Sequence, residues 1–401
     1  MKKRTKFTPS KEQKQLTTTE KREVRRRRAR RRTIVRALIV VALIAVAVLI
    51  WQNWDNLAPD RLIGSFENLF GVGTGSYPID MSGTHVQRLQ QVDNYAAVLT
   101  DSHLFYLNHS GAEVSRYSLA YPTALMRTAD QYVLVAEQGG RRLHLSTRNK
   151  VVLEMEAEAD ILAVAVNKKG QIAVLTDGPQ GYTVQVKVYD KTGKLLYTRD
   201  RNHTAVDVAL SPDGAQVATL SVDAVNGNLN TTMDVFSLKT SATDALCSYL
   251  AKDRLLNRME YMEGGWLAAF SEDSVVMLDT SDGLATLYVP TDMRVLGYAV
   301  AGKDLALAVR PYGDTGGGQI HIVTTEGKAT RTMDFIGAFR DLAGHEHQYA
   351  LLTDTYVQAF SATAEGDTVP VEADGRQIAV SDEQVVVLGL NRLEAYDTAA
   401  K

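Results

Sequence analysis

The chain has 401 residues, 45% of them hydrophobic, 23% charged and 7% aromatic, with a formal net charge of −3 and one cysteine, Cys247. That length permits one large repeat domain or two to three ordinary ones, and the balanced composition is that of a globular chain. A single cysteine excludes an intrachain disulfide, a CxxC motif and a cysteine zinc cage, so Cys247 reads as a small buried residue near a strand end.

Charge is unevenly distributed along the chain. Residues 1–36 hold sixteen Lys or Arg against Glu12, Glu20 and Glu23, a balance of +13 that leaves −16 on residues 37–401. Residues 1–20 are polar and poor in large apolar groups, so 1–32 reads as a disordered basic tail on the cytoplasmic side.

Next comes "VRRRRARRRTIVRALIVVALIAVAVLIW", in which arginines abut an apolar run. Residues 37–51 carry no charge; with Ile34 and Val35 added and Arg36 snorkelling outward, a helix of roughly 27 Å nearly matches the ~30 Å hydrocarbon core. This predicts a transmembrane signal anchor over residues 33–54. The exit "WQNWDNLAPD" lacks a small-x-small cleavage site, which argues against a removable signal peptide, whereas Trp51 and Trp54 suit an interfacial anchor. Arg25, Arg26, Arg27, Arg28, Arg30, Arg31, Arg32 and Arg36 then set topology by staying on the cytoplasmic side. The expectation is a single-pass protein of the plasma (cytoplasmic) membrane with its acidic body outside the cytoplasm. Nucleic acid is not expected as a partner, because that reading leaves the apolar run unexplained and no aromatic residue interleaves the arginines to stack on bases.

Residues 55–75 form a juxtamembrane segment. Leu62, Ile63, Phe66, Leu69 and Phe70 recur at helical intervals after Pro59, and glycines follow. A short amphipathic helix there would rest on the following domain, on the membrane surface or on a partner helix. The glycines of "GVGTG" follow no strand and open no helix, so they do not make a phosphate loop.

From residue 76 to 401 one unit recurs: an apolar run, a polar turn, an alternating strand and a Gly- or Asn-bearing turn. Four copies align almost without gaps, "AAVLTDSHLFYLNHSG", "LAAFSEDSVVMLDTSDG", "YALLTDTYVQAFSATAEG" and "VVVLGLNRLEAYDTAA". Four more, beginning at Tyr132, Ile172, Val217 and Leu305, lengthen the middle turn. The spacing, 36 to 50 residues between successive copies, is that of propeller blades. The predicted fold is all-β, an eight-bladed β-propeller after one transmembrane helix, with seven blades as the alternative. Runs such as "IAVLT" and "LALAV" are apolar at consecutive positions, as a strand covered on both faces must be, while "VQVKVYD" alternates. Candidate first strands precede each run, for example "VQRLQQV", "VDVALSPDG" and "RQIAVS". The eighth unit ends after its third strand, and "SYPIDM", residues 76–81, is available to complete it.

"SPDGAQVA" resembles the strand-turn-strand signature of WD40-like, YVTN-like and TolB-like propellers, and "VYDKTGK" and "MLDTSDG" resemble third-strand ends of quinoprotein-like propellers. The Gly-His to Trp-Asp pairing of true WD40 repeats, the tryptophan docking motif and the Asp-box are absent. The whole layout resembles bacterial single-pass membrane-anchored propeller proteins of unknown function, a likeness that implies no catalytic residues and no cofactor.

Walker, GxSxG, HExxH and EF-hand patterns do not occur in the sequence. His345, Glu346 and His347 read as an exposed turn rather than a metal site, and Asp304 with Asp314 as an acid–base pair only if the fold brings them together. Scattered blade aspartates read as turn residues. The informative turns are the long ones between second and third strands, which emerge on one face of a propeller and name Tyr182, Asn228, Arg310, Tyr312 and Asp314 as candidate contacts. The sequence therefore predicts a binding or scaffolding module for an envelope protein or polymer, with no catalytic, metal or cofactor residues assigned. The alternatives are an envelope lyase or hydrolase with its site in the propeller channel, and a cytosolic scaffold inserted in the opposite sense. Sequons at Asn108, Asn202 and Asn230 matter only in a eukaryotic secretory route.

Overall fold

Strands that are apolar at consecutive positions need cover on both faces, and a ring of blades supplies it. The computed structural model describes residues 75–239, 244–372 and 374–397, all within the unit Glu67–Lys401. The expected tail, anchor and juxtamembrane helix, with the eight topology arginines and Trp51 and Trp54, lie outside the described residues. Among the described residues there is no α-helix, and so none long and apolar enough to cross a membrane.

Eight antiparallel sheets of four strands each make up the domain. Their innermost strands are Val86–Val92, Ala124–Ala129, Ile161–Val166, Thr204–Leu210, Arg258–Tyr261, Met293–Ala301, Phe339–His345 and Gln377–Val380, which define blades 1 to 8. The repeat count of eight therefore holds, and the seven-bladed alternative does not. Within blade 1 the second strand, Tyr95–Thr100, is buried at every position, whereas the outermost, Glu113–Ser118, is largely exposed. The third strand of blade 3, Val184–Tyr189, alternates buried and half-buried residues as its sequence requires.

The apolar core is divided among the junctions between blades. Val186 and Val188 of blade 3 cluster with Val217 and Phe236 of blade 4. Phe270 and Met277 of blade 5 meet Leu305 and Leu307 of blade 6. Likewise Val98 and Phe105 of blade 1 meet Val386 and Leu388 of blade 8. Each sheet is thus covered on both faces by its neighbours, and a fully buried Leu or Phe there contributes about 1.5–3 kcal/mol.

Blade 8 is completed by the segment that precedes blade 1. Ile79–Asp80 lies antiparallel to Arg392–Asp397, with Ile79 opposite Leu393 and Asp80 opposite Arg392. Met81 extends the register by donating its N–H to the Asn391 carbonyl at 2.7 Å, and it is buried with Leu393 in the cluster shared by blades 8 and 1. Tyr77 and Ile79 pack on Gly111, whose φ of +81° favours glycine and where a Cβ would sit 3.1 Å from the tyrosine ring.

Turn aspartates behave as their sequence context suggests. In the "SPDG" turn Asp213 Oδ1 accepts the Ala215 N–H at 3.0 Å and the Ser211 hydroxyl at 2.6 Å. In "YDKTGK" Asp190 Oδ1 accepts the N–H groups of Thr192 and Lys194. Such side chains satisfy backbone donors that the turn leaves over.

Deleting residues 76–81 from the full chain removes Met81 and Ile79 from the junction and bares the edge of Arg392–Asp397. Denaturant unfolding should show a loss of at least about 3 kcal/mol, and light scattering should show self-association. Unchanged stability and a monodisperse sample would contradict closure by this segment.

Candidate binding face and channel

In this ring the second-to-third-strand turns and the connections between blades share one face, because they bond to one another. Asp101 donates its N–H to the His85 carbonyl at 3.2 Å, Gln138 to Thr123 at 2.8 Å, Asp354 to Ala338 at 3.0 Å, and Gly337 to Gly316 at 3.1 Å. The first-to-second-strand turns lie on the opposite face.

The five sequence-derived contact residues divide on this surface. Tyr182, in the blade 3 turn, is 47% exposed, and Tyr312, in the blade 6 turn, is 64% exposed. Asn228 is exposed at the start of Asn228–Ser237, the third strand of blade 4. Asp314 is exposed too, but its Oδ1 accepts the Gly316 N–H at 2.9 Å, and backbone N–H groups of Gly316 and Thr315 hold its carboxyl below the usual range. Arg310 is 7% exposed: Nε donates to the Gly317 carbonyl and Nη2 to the Gly337 carbonyl at 3.5 Å. It braces the blade 6 turn from within instead of facing outward. The turns of blades 3 and 4 are neighbours, while the short 271–274 turn of blade 5 separates them from that of blade 6. Asp304 opens the strand Asp304–Pro311 and Asp314 lies in the turn beyond its far end, roughly 20 Å away, so they form no acid–base pair.

One turn differs in kind from its sequence reading. Residues 223–232 are not an irregular loop but the end of a projecting ladder, with Gln216–Val225 and Asn228–Ser237 each ten residues long. Asn226 and Gly227, at φ of 53° and 86°, form its two-residue turn, the geometry that an Asn-Gly pair between strands signals. Val225 and Leu229 project from it into solvent. They join further exposed apolar residues on the same face that sequence reasoning missed: Leu255 and Val289 in blade connections, Ile336 at 77% exposure, and Leu390 in the blade 8 turn. The opposite face offers fewer, Val151, Leu195, Leu196, Leu246 and Leu284. The asymmetry arises only once the strands are placed, since an isolated apolar residue near a strand end carries no mark of exposure.

The channel is bounded by the innermost strands. Its wide mouth, about 910 Å³, is lined by first-to-second-strand turns, including Asp130, Glu263 and Lys303. His345 ends its strand at this mouth, followed by Glu346 in a left-handed turn and by His347. Burial holds the His345 imidazole below its ordinary pKa against the pull of Glu346. Among the described residues no three His, Cys, Asp or Glu side chains gather as a metal-holding group. Further in is a waist of about 480 Å³, lined by Arg88, Gln90, Arg127, Arg258, Glu260 and Asp341 among others. Glu260 is reached by solvent inside the channel yet enclosed by protein, and this raises its carboxyl pKa against the attraction of Arg258.

Innermost strands are sheet edges, so their backbone donors need partners. Three side chains supply them across blade junctions. Asp207 Oδ2 accepts the Met259 N–H at 2.8 Å, Asp341 Oδ2 accepts that of Ile378 at 2.9 Å, and Gln377 Oε1 accepts that of Leu89 at 2.9 Å. Both aspartates follow a β-bulge, as does Arg88, which turns instead to the channel. Burial pushes Asp207 up to about 7, outweighing the backbone N–H groups of Met259 and Val208, and Arg258 Nε lies 3.9 Å away.

Residues 75–366 match the model of a family of unknown function, DUF5711. No curated protein matches the chain. Among solved structures, BamB from Moraxella catarrhalis is similar at 9% identity and a TM-score of 0.52, over 81% of this chain and 99% of its own. A crystal structure of a eukaryotic initiation factor is similar at 12% identity and 0.52, over 81% and 88%. At these identities the likeness is one of fold.

The Asp207 junction gives a signed pH effect. Folded Asp207 keeps its proton up to about pH 7, whereas an ordinary aspartate releases it near 3.8. Its contribution to stability is thus complete below the lower value and is lost as pH rises through the upper one. Asp207→Asn, whose amide oxygen still accepts the Met259 N–H, should therefore gain on the parent as pH rises from about 4 to 8. Asp207→Ala should cost about 1–3 kcal/mol even at pH 5 by orphaning that donor. Parallel curves for parent and Asn variant in pH-dependent unfolding would contradict the assignment.

Proposed function

Because the chain belongs to the DUF5711 family of unknown function, its role has to be argued from its surfaces, and we propose that the propeller is a binding or scaffolding module whose turn face docks an envelope protein or polymer. One observation carries the reading: exposed Tyr182, Leu229, Tyr312 and Ile336 gather on one face of a rigid ring while the opposite face is poorer in such groups. Exposed aromatic and aliphatic anchors on a preformed scaffold are the ordinary means of protein docking.

In this proposal the ring stands outside the cytoplasm, held on the plasma membrane by the 33–54 signal anchor. The support comes from the sequence: eight arginines precede an uncharged run long enough to span. An envelope lyase or hydrolase is the second reading, favoured by the arginines and carboxyls of an open channel. It would need Glu260 as a proton donor, a part its raised pKa suits.

Proximity labelling from the ring tests the docking face. The joint variant Tyr182→Ser, Leu229→Ser, Tyr312→Ser and Ile336→Ser should lose the dominant neighbours of the parent at equal abundance; an unchanged set of neighbours would refute docking there. An alkaline phosphatase fused after Lys401 should be active, and an inactive fusion would reverse the topology.

A further inference from the structure

The channel waist holds more positive charge than its own carboxyls engage. Arg88 makes no hydrogen bond or ion pair among the described residues and acts on Asp341 only through space. Arg127 donates Nη1 to the carbonyl of its neighbour Met126 at 3.0 Å and meets no carboxylate. Of the carboxyls that line the waist, Asp341 is committed to the amides of Ile378 and Leu342, and Glu260 is attracted by Arg258. Neither guanidinium is tied up by a carboxylate contact, and their planar forks suit carboxylate or phosphate oxygens.

A second observation comes from the same wall. Neutral hydrogen-bonding side chains, Gln90, Gln91 and Thr128, share that wall with the arginines. The waist, about 480 Å³, has the size of a small-ligand site and shares Gln91, Thr128, Glu260 and His345 with the 910 Å³ mouth, which gives it a way in.

From these juxtaposed donors and acceptors we infer that the waist binds an organic anion that also carries hydroxyl groups, the chemistry of an acidic sugar or a hydroxy acid. Arg88 and Arg127 take the anionic oxygens, and the neutral amide and hydroxyl side chains of the wall meet the ligand's hydroxyls. The turn face and this site are separate surfaces, so a ligand in the channel leaves docking unobstructed.

Isothermal titration of the full-length protein in detergent with sodium glucuronate tests the site, with glucose and sodium acetate as comparison probes. Glucuronate should bind saturably, acetate more weakly and glucose not at all. The double variant Arg88→Gln, Arg127→Gln should bind glucuronate at least about tenfold more weakly, roughly 1.4 kcal/mol, while Arg141→Gln on the exterior should not. Gln90→Leu, which leaves both guanidinium groups in place, should narrow the preference for glucuronate over acetate. No saturable binding, equal affinity in the double variant, or equal binding of acetate and glucuronate would overturn the proposal.

Discussion

The structure depends on one constraint: every blade is a thin sheet with two apolar faces, and neither face has any cover except the next blade. Tyr95–Thr100, buried throughout, illustrates the demand. A linear stack would leave the first and last sheets bare, so the ring has to close, and the closing contact is Ile79–Asp80 on Arg392–Asp397. Two residues of ladder suffice because Met81, Leu393 and their neighbours bury apolar surface beside it. The amino-terminal segment thereby becomes part of the last blade, and any pull on that segment bears on the junction between blades 8 and 1.

Closure frees other parts of the chain from structural duty. Once inter-blade packing fixes the sheets, turns on the outer faces can vary in length, and exposed residues such as Tyr312 and Leu229 add little to the core. The channel is governed by a different economy, because its walls are strand edges. There Asp207, Asp341 and Gln377 cap backbone donors of the adjoining blade. Arg88, at the same position after a bulge as the two aspartates, has no such task. One backbone device thus yields a structural stitch in some blades and a channel-lining cation in another.

Most of the strand framework was legible in the sequence because it follows from local chemistry. Val86–Val92 coincides with the run "VQRLQQV", and segment 76–81 was identified as the missing strand of blade 8 from the count alone. What escaped was non-local. The Asn226–Gly227 pair signals a hairpin only when the residues flanking it are taken as continuing the two strands. The place of Arg310 in a long turn suggests exposure, and nothing local in the sequence reveals that the carbonyls of Gly317 and Gly337 enclose it. Arg88, Arg127 and Glu260 lie in unremarkable strands, and only the ring brings blades 1, 2 and 5 around one cavity. The topology arginines and the anchor lie outside the described residues, so they rest on the sequence argument.

The central claim, that a closed ring meets its partner through the turn face, is tested most directly by hydrogen–deuterium exchange on the full chain in native cell extract and after purification. In extract the amides of turns 223–230 and 311–316 and of connection 336–338 should be protected, while turns lining the channel mouth, such as 262–265 and 346–347, should exchange alike in both. Protection spread evenly over both faces, or confined to the mouth, would contradict it.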